Sequence, residues 1–225
     1  MEQQLIAGLL AVGVIILVAF PVHEFSHAWA AYMLGDSTAR WQGRLTLNPI
    51  VHFDPFGGIV LLLTVLLGSG FFIGWAKPTP VNPYNLRHGR RGEAMVAALG
   101  PFSNLLMALV VAVPLQLAWS DPSTVALLST NPLAGLVNNV VVFFVAINAL
   151  LFVFNLLPIP PLDGWKVVGG LVSARLAYQM RGVEQYGFII LIVLVLFGGR
   201  YVAPYLFAFI GLFLGRAETV QLGFG

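Results

Sequence analysis

Cysteine is absent from the 225-residue sequence, and charged residues make up only 9% of it. Without cysteine there can be no disulfide framework, no thiolate nucleophile and no cysteine metal site, so any bound metal must use histidine and carboxylate ligands. Soluble domains carry about a quarter charged residues, whereas this chain is 59% hydrophobic with a mean hydropathy of +0.90. The composition therefore predicts one membrane-embedded domain, residues 1–225, whose main solvent is the lipid bilayer.

Charge is scarce but unevenly placed. The net charge is only +2, and most lysines and arginines lie in short segments between apolar runs, which is typical of membrane topology rather than of nucleic-acid binding. We therefore expect no nucleic-acid partner. The first apolar run begins at Leu5 after Glu2, without the basic leader of a signal peptide, so we expect a retained helix there.

Long apolar runs are abundant, and three of them, 5–34, 94–119 and 135–157, predict helices that span the membrane. Residues 38–47 alternate in character around Gly43, which predicts a short β-hairpin. The stretch 56–76 holds five glycines and is a poor candidate for a uniform helix. The expected fold class is an all-α polytopic transmembrane helical bundle with a small membrane-associated β-hairpin or sheet and a re-entrant segment.

Ionisable residues near the end of the first apolar run read His23-Glu24-Phe25-Ser26-His27. Histidines four apart share one face of a helix and can bind the same metal ion. Glu24, beside the first ligand, can activate water in the open coordination position as a general base. The alternative is that these residues are satisfied helix-end side chains that reach toward the interface.

A zinc ion normally needs a third protein ligand, and Asp163 is the best acidic candidate, since it follows a proline-rich turn after the third long apolar run. The alternative, that Asp163 caps the next helix, is equally consistent with this segment. His52 lies in a loop that returns toward the membrane. It is a candidate to lie near the site, or it is an ordinary hydrogen-bonding histidine.

Several motifs occur in a fixed order along the chain: HEFSH at 23–27, LNP at 47–49, GWAKP at 74–78, GPFSN at 100–104 and NLLPIPPLDG at 155–164. Together they resemble the site-2 protease family of intramembrane zinc metalloproteases, in a compact prokaryotic branch without a PDZ or CBS domain. The resemblance covers about residues 15–170.

The resemblance implies one Zn²⁺ per chain, bound by His23, His27 and Asp163, with Glu24 activating water as the catalytic residue. It implies that Asn155 helps to bind substrate or the oxyanion, while Asn104 is expected to support helix packing. The implied substrates are proteins with transmembrane helices, cleaved within those helices by regulated intramembrane proteolysis.

A single side of the membrane must carry both ligand sets if His23, His27 and Asp163 share one metal ion. The stretch 56–76 must then dip in and return, as a re-entrant segment. Most basic residues fall on the same side, so the active site is expected to open toward the cytoplasm, in the plasma membrane of a prokaryote. The unpaired edge of the predicted hairpin is expected to accept an extended substrate strand.

Two other classes of protein fit the same residues. A membrane transporter for metal ions or protons would use the intramembrane histidine, glutamate and aspartate for translocation. An inactive relative would serve as a membrane scaffold. The sequence leaves open whether the chain forms a homo-oligomer.

Overall fold

The protein is mostly helical in the part that a computed structural model describes, residues 2–66 and 74–215, and no β-strand occurs in those ranges. Short π-helical segments, Ile15–Ala19 and Leu194–Gly198, join α1 to α2 and α11 to α12. The helices are α1 Glu2–Val14, α2 Phe20–Met33, α3 Thr38–Trp41, α4 Pro49–His52, α5 Pro55–Leu66, α6 Arg90–Trp119, α7 Pro122–Thr130, α8 Pro132–Asn155, α9 Asp163–Leu171, α10 Ala174–Glu184, α11 Gly187–Val193 and α12 Gly199–Leu214.

Three helical stretches in the described ranges are long and apolar enough to cross a bilayer: Gly8–Met33, Arg90–Trp119 and Pro132–Asn155. They correspond to the three long apolar runs, and the prediction of an all-α membrane protein is confirmed. At the end opposite α9, α6 and α8 are joined by the short helix α7. Asp121 and Asn131 cap α7 and α8 by accepting hydrogen bonds from backbone amides, and a proline follows each cap.

The prediction of a β-hairpin at 38–47 is wrong. Residues Thr38–Trp41 form the single helical turn α3, which ends where Gly43 adopts a φ of 69° and the amide of Arg44 donates to Ala39 O at 2.8 Å. Asp36 accepts from the Thr38 amide at 3.0 Å, and this local bond favours a helical turn over a strand. The substrate-binding edge expected of that hairpin therefore does not exist.

The glycine-rich stretch 56–76 returns close to the point where it starts. It begins as α5, and a Cβ at Gly57 would overlap the backbone of Trp75, so the two ends of the stretch lie in contact there. The amide of Lys77 also donates to His52 O at 2.8 Å. This closure is what a re-entrant segment requires, although the residues between the two arms, 67–73, lie outside the described ranges.

Helix α6 occupies the centre of the fold and packs against α2, α8 and α9. Small residues of α6, Ala108 and Ala112, are buried against Val145 of α8 and Ile210 of α12. Alanine lets helix backbones approach closely, which is how helices pack inside membranes. The long helices α2 and α8 are therefore both positioned by their contacts with α6.

Two glycines let α9 approach its neighbours at both ends. A Cβ at Gly164 would overlap the backbone of Leu156 at the end of α8, and a Cβ at Gly170 would overlap α6 near Ala94. Arg90 of α6 also donates to Gly169 O at 3.0 Å, near the end of α9. These contacts hold α9 across the end of the bundle, with its first residue directed into it.

Asp36 joins the end of α2 to the segment that precedes α6. Its fully buried carboxylate accepts from the Thr38 amide and hydroxyl, from the Asn82 amide at 2.7 Å and from Asn85 Nδ2 at 3.0 Å. Burial alone would raise the pKa of Asp36, but these hydrogen bonds hold that pKa below its usual value. The stabilisation is therefore complete above the unfolded pKa of about 3.9 and is lost as the pH falls through the folded pKa.

We expect Asp36→Ala to loosen the segment around Asn82 and Asn85 because the Asn82 amide loses its buried acceptor. Hydrogen bonds to charged groups contribute about 2 kcal/mol, so hydrogen exchange of the Asn82 amide should accelerate by roughly 30-fold. Asp121→Ala is the control, since the Asp121 carboxylate accepts only from Ser123 and Thr124 at the start of α7. Unchanged exchange at Asn82 in the Asp36 variant would contradict this role.

Candidate metal centre

Three potential ligand atoms from separate parts of the chain converge at one point. His27 Nε2 lies 3.1 Å from His23 Nε2, and Asp163 Oδ2 lies 3.3 Å from His23 Nε2 and 3.2 Å from His27 Nε2. Both imidazoles are buried, at 9% and 7% exposed. Among the described residues, these three form the one cluster of histidine and acidic side chains with the spacing of a metal site.

Hydrogen bonds on the far side of each ring determine which nitrogen carries the proton. His23 Nδ1 lies 2.5 Å from Asn104 Oδ1, and His27 Nδ1 lies 2.8 Å from Val96 O. Both partners are oxygen acceptors, so we assign the protons to Nδ1 in both rings. Each Nε2 then presents a lone pair, and the two lone pairs face each other and the Asp163 carboxylate.

This arrangement fits a zinc ion. Three acceptor atoms at such distances repel one another in a buried site unless a cation lies between them. Zinc bonds of about 2.0–2.1 Å in tetrahedral geometry separate ligand atoms by about 3.3 Å, which matches the observed spacings. Two histidines and one carboxylate are also a donor set of catalytic zinc sites, which keep a fourth position open.

Gly100 of α6 makes room for the two rings. A Cβ at this position would lie 2.8 Å from His23 Nε2 and closer still to His27 Nε2. The preceding turn of α6 supplies Val96 O, and the following turn supplies Asn104. One face of α6 therefore both accommodates and orients the two histidines.

Asp163 is the first residue of α9 rather than its cap, since the cap position belongs to Leu162. Its carboxylate points away from its own helix toward the two histidines. Of the two interpretations of this residue, the geometry favours the metal ligand over the helix cap.

Glu24 is buried next to His23, close enough for the two side chains to interact electrostatically. Its Oε2 accepts from the Thr79 amide at 2.7 Å, and the Thr79 hydroxyl donates to Glu24 O at 3.0 Å. The segment before α6 thus engages one carboxylate oxygen and thereby fixes the direction of the other. No local pattern could identify Thr79, which lies 55 positions from Glu24 in the sequence.

The remaining sequence candidates have different surroundings. Asn155 is partly buried at the end of α8, where its Nδ2 donates to Leu151 O at 3.0 Å. His52 is 1% exposed, and its Nε2 lies 2.7 Å from Thr46 O. No hydrogen bond or ion pair between His52 and the three converging side chains occurs in the described ranges. The structure therefore gives no contact that assigns His52 to the site.

Asn104 does more than the helix packing expected of it, because its side chain contacts a candidate ligand directly. Sequence reasoning also missed Asn148, which is fully buried in α8 and accepts from Asn104 Nδ2 at 2.9 Å. An asparagine inside a long apolar run is itself a signal, since a buried polar group in a membrane helix needs a partner.

The chain is similar to a family of known proteins. The family model of Peptidase family M50 matches residues 120–198. A Bacillus subtilis protein named as the zinc metalloprotease YwhC is 41% identical over 180 residues, which cover 80% of this chain and 77% of that protein. No solved structure gives a significant match.

Proteins from two mycobacteria are also similar, and both are named as the zinc metalloprotease Rip2. The Mycolicibacterium smegmatis protein is 32% identical over 192 residues, covering 82% of this chain and 68% of that protein. The Mycobacterium tuberculosis H37Rv protein is 28% identical over 181 residues, covering 80% of this chain and 64% of that protein.

The chain is thus a membrane-embedded zinc metalloprotease. It belongs to peptidase family M50, the site-2 protease family, and the resemblance noted in its motifs is confirmed.

We expect Gly100→Ala to abolish stoichiometric zinc binding, because the added methyl group would overlap His27 and crowd His23. The zinc content of the purified protein, measured by atomic spectroscopy, tests this. Gly13→Ala is the matched control, since a Cβ at Gly13, also in a candidate spanning helix, meets nothing within 4 Å. Equal zinc content in the two variants would contradict the close approach of α6 to the histidines.

Proposed function

We propose that this metalloprotease hydrolyses peptide bonds within transmembrane segments of other proteins, using a zinc ion held by His23, His27 and Asp163. The observation that carries the proposal is the convergence at 3.1–3.3 Å of three acceptor atoms, from two buried histidines and the partly buried Asp163. The histidines belong to the candidate spanning helix Gly8–Met33. Their location favours substrates that are themselves within the membrane.

Glu24 and Thr79 have separate roles in the proposed hydrolysis. Zinc, when bound, supplies a Lewis acid and lowers the pKa of water. Glu24 takes a proton from the attacking water and later delivers it to the leaving amine as general base and acid. Thr79 orients Glu24 through its amide, so that the carboxylate does not need to reorganise when the proton moves.

Asn155 is proposed to bind substrate or the developing oxyanion. It lies seven residues after Asn148 on α8 and eight before Asp163, at the end of the bundle that holds the metal centre. An asparagine amide offers two N–H donors, and one of them already bonds to Leu151 O within its own helix. That bond fixes the plane of the amide, so the second N–H of Asn155 has a defined direction and can donate to a substrate.

The basic residues support a cytoplasmic opening in a prokaryotic plasma membrane. They lie in segments that adjoin the metal-centre ends of α2, α6 and α8, and lysine and arginine are enriched on the cytoplasmic side of membrane proteins. These residues are Arg40, Arg44, Lys77, Arg87, Arg90, Arg91, Lys166, Arg175 and Arg181.

We expect Glu24→Gln to retain zinc and to lose cleavage of a reconstituted transmembrane peptide by at least about a hundredfold, the range of general acid–base contributions. Glutamine keeps an oxygen for the Thr79 amide but cannot accept the proton of water. Glu93→Gln, in the first turn of α6, is the matched control. A normal cleavage rate in the Glu24 variant would refute its assigned role, and altered ion transport with intact cleavage would favour a transporter.

We expect Asp163→Ala to lose both zinc and cleavage, because the two histidines alone leave the cation one ligand short. The fall in zinc affinity should exceed the roughly 10- to 100-fold typical of residues that only support a ligand. Asp54→Ala is the control, since the Asp54 carboxylate bonds to the Gly57 amide at the start of α5. Competition with a chelator measures the affinity, and an unchanged value would remove Asp163 from the ligand set.

A further inference from the structure

A chain of hydrogen bonds leads from His23 to a backbone carbonyl in α8. His23 Nδ1 lies 2.5 Å from Asn104 Oδ1, Asn104 Nδ2 donates to Asn148 Oδ1 at 2.9 Å, and Asn148 Nδ2 donates to Phe144 O at 2.8 Å. Both asparagines are 0% exposed. The chain thus links α2, α6 and α8 through side chains that have no access to water.

The donor and acceptor of each hydrogen bond in this series are determined by Phe144 O, at the end away from His23. Phe144 O is a backbone carbonyl and can only accept, so Asn148 must place its Nδ2 there. Asn148 Oδ1 then faces Asn104 and selects the orientation in which Asn104 donates. That orientation leaves Asn104 Oδ1, an acceptor, facing His23.

The orientation of Asn104 decides whether His23 can bind a metal ion. An amide rotated by half a turn would offer N–H groups to His23 Nδ1, and the imidazole would have to move its proton to Nε2. A protonated Nε2 has no lone pair for zinc. The oxygen and nitrogen ends of an amide are nearly equal in size, so packing alone does not choose between them.

We propose that Asn148 is a positioning residue for the zinc ligand His23, acting through the amide of Asn104 to keep the proton on Nδ1. The inference rests on the zinc ligation proposed above. In a purely structural role, two buried asparagines would only hydrogen-bond the helices together. The proposed role also requires that the oxygen of the Asn104 amide, and not its nitrogen, faces His23. Only an amide at position 104 needs Asn148 to orient it.

An aspartate at position 104 removes that need, since both of its oxygens accept. Zinc affinity of the full-length chain in nanodiscs, measured by chelator competition, should therefore be compared in a cycle of Asn148→Ala, Asn104→Asp and the double variant. With Asn104 present, Asn148→Ala should weaken zinc binding by about 10-fold, as residues that orient a metal-bound histidine do. With aspartate at position 104, the same change should not weaken zinc binding, because an oxygen faces His23 in either orientation of the carboxylate.

Asn138→Ala is the matched control. Asn138 also lies on α8 and accepts a hydrogen bond from Trp119 of α6 at 2.9 Å, away from the metal centre. It should leave zinc affinity unchanged in both backgrounds. Equal losses from Asn148→Ala in both backgrounds would show a packing role and overturn the proposal, as would no loss in either.

The tautomer of His23 can be measured without bound metal and tests the proposal independently of zinc affinity. With ¹⁵N-labelled histidine in the metal-free chain, which has four histidines, the His23 signals should show a proton on Nδ1 in the wild type and a mixed population in Asn148→Ala. An unchanged tautomer in that variant would overturn the proposal even if zinc affinity fell. His23→Ala separates the two claims, because unaltered zinc affinity there would refute the ligand assignment itself.

Discussion

Mutual repulsion among three converging acceptor atoms is the constraint on which the candidate metal centre depends. Two imidazole nitrogens and a carboxylate oxygen are held 3.1–3.3 Å apart in an interior that offers little water. Such a cluster is costly unless a cation compensates it. The packing around it, including the glycine at position 100 and the glycines that admit α9, is arranged to keep the three atoms together. Zinc held by these three side chains, as proposed above, would couple metal binding to folding in this part of the molecule.

Helix α6 shows how a metal site can be built in a bundle from backbone as well as side chains. Within two turns it supplies a carbonyl at Val96, empty space at Gly100 and an amide at Asn104. The histidines come from α2, and Asp163 comes from α9, which is itself held against the start of α6. The ligands thus come from two elements, and a third element aligns both.

The sequence alone predicted the helical membrane class and the pairing of His23 with His27, because helical spacing carries direct geometric meaning, whereas Asp163 as a third ligand was implied by the family resemblance. His23 and His27 share a helix face whatever surrounds them, and Asp163 follows a proline-rich turn at the end of the third long apolar run. The prediction of a hairpin at 38–47 was wrong because an alternating pattern over only ten residues is a weak signal. The hydrogen bonds of the buried Asp36 carboxylate outweigh it and favour a helical turn. The contacts of Thr79 and Asn148 depend on tertiary proximity, which no local pattern encodes.

The closeness of α6 to the metal centre also limits the paths by which a peptide can reach it. Main-chain and small-residue surface fills that side, and a single methyl group at Gly100 would already overlap an imidazole. An extended chain, several ångströms wide even without side chains, cannot enter there. The segment carrying Thr79, by contrast, contacts the site through two hydrogen bonds to Glu24. The side of the candidate site that is closed by packing therefore belongs to a thirty-residue helix, whereas the segment that orients Glu24 lies outside any helix.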